Sequence, residues 1–119
     1  MPRVEIQYYE HLISMLQIDK LSRSLPIIVA EVLDVPSARL NSSEVEVCVR
    51  EHGPMDRNVK AVQITIEAKI TPEREEQIEQ MKDAIALKIM RLDVIPMDLL
   101  NAKEVSIWVK LPKASYVII

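Results

Sequence analysis

Pro2 has the clearest chemical potential in this chain. Proline is small enough for the processing aminopeptidase to remove Met1, which would leave a free secondary amine at the head of a strand. An apolar pocket or a nearby cation disfavours the charged form of such an amine and brings its pKa towards neutrality. A neutral amine can take a proton from carbon beside a carbonyl and return it elsewhere. Other reactive groups are few. Cys48 is the only cysteine, lies mid-strand and reads as an inert strand residue, although a histidine could formally serve it as a base. His11 and His52 have no second ligand at metal spacing, so no metal is expected, and His11 reads as a solvated loop residue. Gly53 is the single glycine, which leaves no Gly-rich phosphate loop and no dinucleotide fingerprint.

The elements around Pro2 occur twice. At an offset of 60 residues, Leu40-Asn41-Ser42-Ser43-Glu44-Val45 lines up with Leu100-Asn101-Ala102-Lys103-Glu104-Val105, and Pro36 falls on Pro96. The same register places Val4 and Ile6 on Ile64 and Ile66, Leu21 on Met81, Leu25 on Ile85 and Val29 on Ile89. Two copies of one supersecondary unit follow, over residues 1–60 and 61–119, within one expected domain. Only the first copy opens with Met1-Pro2; the second has Ala61-Val62 there.

Alternation predicts strands over 3–9, 44–50, 61–69 and 103–110. Ile18, Leu21, Leu25, Ile28, Val29 and Val32 follow helical spacing, so a helix should end near Leu33 or Asp34, with Pro26 kinking or restarting it after Ser24. Thr71-Pro72-Glu73 is a strong helix start, and Ile78, Met81, Ile85, Ile89 and Leu92 form its buried stripe, with Met81 and Met90 as core filler. Residues 51–58 are a polar connection and 114–119 an apolar tail. The expected class is α+β: a four-stranded sheet with two helices on one face. The other face carries Arg3, Glu5, Gln7, Tyr9, Glu46, Cys48, Arg50, Gln63, Thr65, Glu67, Lys69, Ser106, Trp108 and Lys110. It faces solvent, partner subunits or a ligand.

Composition narrows the classes. Hydrophobic content of 49% with 28% charged residues reads as a soluble globular chain, and no apolar run approaches the roughly 20 residues that cross a bilayer. The N-terminus lacks the apolar core of a signal peptide, and with one cysteine a reducing cytoplasm is the expected compartment. A net charge of −3 gives no general attraction to nucleic acid.

A β-α-β repeat opening with Met-Pro and fused in tandem resembles the tautomerase superfamily. Leu33-Asp34-Val35-Pro36 resembles the helix-to-strand turn of 4-oxalocrotonate tautomerase. Thr65-Ile66-Glu67-Ala68-Lys69 with Glu73-Arg74-Glu75-Glu76-Gln77 resembles the corresponding strand and helix start in malonate semialdehyde decarboxylase. Val105-Ser106-Ile107-Trp108-Val109 is similar to the last core strand of macrophage migration inhibitory factor. The resemblance implies a homotrimer, sheets lining a central barrel, sites between subunits and Pro2 as a cofactor-independent base acting on a small 2-oxo acid. It implies that Lys69 holds the substrate carboxylate and that Ser106 and Trp108 of a neighbouring subunit furnish pocket wall. Arg39 is a further candidate for the substrate acid. Two departures stand out. Glu46 lies nearest the second-strand arginine of 4-oxalocrotonate tautomerase, and no carboxylate follows Pro36 where the decarboxylase has one, which argues against hydration or dehalogenation. The same element order also describes ferredoxin-like binding modules, and an inactive structural trimer is a further alternative; strand order separates the first of these.

Overall fold

The structure, a computed structural model, describes residues 2–112, so Met1 and the tail expected over 114–119 lie outside the described residues. Alternation builds β1 (Arg3–Tyr8): Val4, Ile6 and Tyr8 turn inward and are buried, while Arg3, Glu5 and Gln7 sit half-buried on the other face. Helix α1 (Met15–Leu33) begins with a reciprocal cap. The Ser14 hydroxyl accepts from the Gln17 backbone N–H and the Gln17 side chain accepts from that of Ser14.

Pro26 lies inside α1, and the helix runs through it, so of the expected kink or restart the restart after Ser24 is corrected. Leu21, Leu25, Ile28 and Val29 are buried on both sides of it. Each such side chain contributes about 1.5–3 kcal/mol of burial, so together they outweigh the ~3 kcal/mol of one interior proline.

A 3₁₀ turn at Ser42–Glu44 delays β2 (Glu46–Glu51) relative to its expected start at residue 44. The second copy supplies β3 (Val62–Glu67), α2 (Pro72–Arg91), a short α3 (Met97–Asn101) that periodicity does not reveal, and β4 (Val105–Lys110). Thr71 caps α2 by accepting the Arg74 N–H at 3.1 Å. Glu73 and Glu75 in the first turn, with Lys88 and Arg91 in the last, match the helix dipole. Met81, Ile85 and Ile89 are buried, whereas Met90 is 55% exposed, so its expected core role is corrected. One residue beyond Ile89 is about 100° further round the helix, which turns Met90 away from the sheet.

The sheet order is β2-β1-β3-β4, with β1 parallel to β2, β3 parallel to β4, and β1 antiparallel to β3. Arg3 pairs with Glu46 and Val62 with Val105, the same stagger in both halves. A split β-α-β unit would insert a strand between β1 and β2; here they are direct neighbours, which removes the ferredoxin-like alternative. The helices α1 and α2 pack together over the aliphatic face, and Lys88 of α2 meets Glu31 of α1 at 3.0 Å. Among the described residues no helix is long and apolar enough to cross a membrane.

Candidate active site

Chain direction decides which segments meet Pro2. After β1, helix α1 runs back, so its C-terminus returns to the Pro2 end of the sheet. Antiparallel β3 finishes at that end, and α2 starts there. Pro2 itself is buried, and its carbonyl accepts the Glu46 N–H at 3.0 Å. By continuation of the ladders it lies between Val45 and Ala68, both buried. Its place in the alternation puts it on the helix face, with Val4 and Ile6.

Arg74 joins the segments around it. Only 2% exposed, it donates from Nε and Nη2 to the Leu33 carbonyl at 3.0 and 2.9 Å, and from Nη1 to the Lys69 carbonyl at 2.8 Å. Nη2 also reaches the Ala38 carbonyl at 3.3 Å. Burial pulls the guanidinium below the usual arginine value, while Asp34 and Glu73 oppose that shift; it remains a cation. Sequence reasoning missed this residue, yet a signal existed: Arg74 precedes Ile78, Met81 and Ile85 at helical spacing, on the buried stripe of α2.

Of the sequence candidates, Lys69 and Arg39 come to the Pro2 end. Lys69 is exposed, and no ion pair engages it among the described residues. Arg39 is committed to Asp34 at 3.0 Å, and the same carboxylate accepts the Leu40 N–H at 2.9 Å. The Glu73 carboxylate accepts from the Ser37 hydroxyl, which holds it below the usual carboxylate range. These contacts fix the 34–40 turn beside Lys69.

Ser106 and Trp108 lie elsewhere, on the polar face of edge strand β4. That face is a grid of three rows: Glu46-Arg3-Glu67-Lys110, Cys48-Glu5-Thr65-Trp108 and Arg50-Gln7-Gln63-Ser106. The first row alternates in sign across the whole sheet. Cys48 sits between Arg3, whose Nη2 is 3.8 Å from Sγ, and Glu46 at 3.6 Å. Gln63, Thr65, Trp108 and Lys110 line a depression of 180 Å³. Trp108 is 62% exposed. The Ser106 hydroxyl is buried without a hydrogen-bond partner among the described residues. Trp108 is two strand spacings across from Pro2 and, in the row of Glu5, three residues along, so the two are roughly 14 Å apart and on opposite faces of the sheet. One chain cannot bring both to one small molecule.

The far end of the sheet holds the histidines. His11 is exposed, and the side chain of His52 is 1% exposed, with Nε2 2.8 Å from the Lys60 carbonyl. Neither approaches Pro2.

No protein-family model and no curated protein sequence matches the chain. Solved structures do match over nearly its whole length. A 5-carboxymethyl-2-hydroxymuconate delta-isomerase aligns with a TM-score of 0.66 at 14% identity, covering 99% of this chain and 87% of that one. The FG41 malonate semialdehyde decarboxylase inhibited by 3-bromopropiolate gives 0.54 at 14% identity, covering 97% and 88%. The F6 fused 4-OT wild-type asymmetric trimer gives 0.53 at 11% identity, covering 92% and 85%. At these identities the likeness is one of fold: the chain shares the tautomerase-like α+β fold of these three structures.

Proposed function

We propose that this protein is a cofactor-independent tautomerase in which Pro2, freed of Met1, is the general base for a small enolisable 2-oxo acid. The observation that supports this most directly is the placement of Pro2: buried, on the helix face, at the end of the sheet where Lys69 is exposed and in no ion pair among the described residues. Apolar neighbours Val45 and Ala68 disfavour a charged amine there. In the keto-to-enol direction the neutral nitrogen takes a proton from the carbon beside the substrate carbonyl, and that C–H electron pair forms the C=C bond as the carbonyl π pair passes to oxygen. The Pro2 ammonium returns the proton to that oxygen; ketonisation is the reverse. No electrons enter or leave, so the chemistry itself asks for no redox partner. Lys69 pairs with the substrate carboxylate and stabilises the developing enolate. Arg39 is the weaker candidate because Asp34 already holds it.

The second half of the pocket is assigned to a neighbouring copy, which brings Ser106 and Trp108. Support comes from their separation from Pro2 within one chain, from edge strands β2 and β4 with no fully buried residue, and from the trimeric fused 4-OT of like fold. A homotrimer is the assembly this implies.

The test is turnover of a phenylpyruvate-like or 2-hydroxydienoate-like acid by processed wild type and Pro2→Ala. Activity is expected to fall by roughly 10²–10⁴-fold, the range for a lost positioned base. Equal activity would make this proline structural and leave an inactive oligomer as the better reading.

A further inference from the structure

The C-terminus of α1 points at the Pro2 end of the sheet, and its last carbonyls form the negative end of the helix dipole. Left open, that end would favour a protonated Pro2. Arg74 covers it. Three of its nitrogens donate to the carbonyls of Leu33, Ala38 and Lys69, and no carboxylate lies within ion-pair distance of it among the described residues. Its charge is thus held chiefly by backbone dipoles, with Asp34 and Glu73 acting on it through space and not as ion-paired partners. The N-terminus of α2 adds partial positive charge at the same end.

We propose that Arg74 is a positioning residue for the Pro2 base: it fixes the segments bearing Lys69 and Arg39, and its buried charge keeps the Pro2 nitrogen unprotonated. This rests on the tautomerase reading above. Pro2 opposes Ala68, and Arg74 grips the carbonyl of the next residue, so the two nitrogens are about 10 Å apart by strand spacing. Other charges face this end: Arg3 from β1, Glu44 and Glu46 from the β2 side, Glu67 and Lys69 from β3, Lys110 from β4, Asp34 and Arg39 after α1, and Glu73 from α2. All of them are half-buried or exposed, so solvent and salt screen them. Arg74 alone is buried, and a like charge at that range shifts an amine by about one pH unit.

The experiment follows the Pro2 nitrogen by ¹⁵N NMR through a pH titration of the full chain beginning at Pro2. Arg74→Met and Arg74→Gln should each raise the midpoint by about one pH unit. Arg74→Lys should restore it, since the charge returns without the guanidinium fork. An unchanged midpoint in whichever neutral variant folds overturns the proposal, as does a wild-type midpoint in the range of an ordinary exposed N-terminus. A merely structural arginine would alter stability without moving this titration. The tautomerase reading fails separately, through full activity in Pro2→Ala.

Discussion

Arg74 donates twice to a single carbonyl, that of Leu33, at 3.0 and 2.9 Å. The last turn of the first copy's helix is thereby closed by a side chain from the first turn of the second copy's helix. The two halves of the repeat are joined by this contact as well as by the β1–β3 ladder.

Removing it should cost more than an ordinary surface change. Arg74→Ala leaves the carbonyls of Leu33, Ala38 and Lys69 without these donors in a buried place, and the expected loss is about 3 kcal/mol. Urea unfolding followed by circular dichroism measures it. A loss below about 0.5 kcal/mol, the level of neutral surface changes, would show that water replaces the guanidinium freely.

Tyr8 gives a stability limb on the alkaline side. Burial, then the Glu51 carboxylate 3.4 Å from its hydroxyl, raises its pKa above the usual tyrosine value. The unfolded chain releases this proton near pH 10 while the folded chain still holds it, so stability falls as pH rises through about 10. Tyr8→Phe should flatten that limb between about pH 9 and 11. Parallel limbs in the two proteins would assign the alkaline loss to other groups.

Lys69 and Arg39 should separate in kinetics. Lys69→Ala is expected to raise KM about 10-fold with a smaller change in kcat, because it holds the carboxylate in ground and transition states alike. Arg39→Ala should change KM less than 3-fold, since Asp34 already occupies its guanidinium. The reverse pattern would exchange their roles.

Assembly is open to direct measurement. With the edges of the sheet incompletely covered and Trp108 62% exposed, sedimentation at micromolar concentration should show a trimer. Deleting residues 115–119 should weaken assembly if the apolar tail crosses to a neighbour. A monomeric wild type would contradict a site shared between copies.

Local periodicity carried most of the secondary structure. Alternation put Val4, Ile6, Ile64 and Ile66 on one strand face, and helical spacing put Leu21, Leu25, Met81 and Ile85 on facing stripes, because burial repeats every two or 3.6 residues in the chain itself. The 60-residue phase likewise needed nothing but the chain: it aligns buried Leu25 with buried Ile85 and buried Val29 with buried Ile89. Local signals were weaker where an element is short. The 3₁₀ turn at Ser42–Glu44 and helix α3 have too few residues to show a period. The restart expected at Pro26 does not occur because the packing on either side of it outweighs the local penalty.

The site was legible in its parts and not in its arrangement. Pro2, Lys69 and Trp108 stand out by residue type, but periodicity does not say which strands pair. Hydrogen bonding across distant segments sets the order β2-β1-β3-β4, and that order alone brings the end of α1, the end of β3 and the start of α2 around Pro2. It also puts Trp108 two strands away, on the opposite face that alternation had already assigned it. Arg74 shows the same division: its place on an apolar stripe was written in the chain, while the three carbonyls it satisfies exist as one cluster only after both copies have folded against each other.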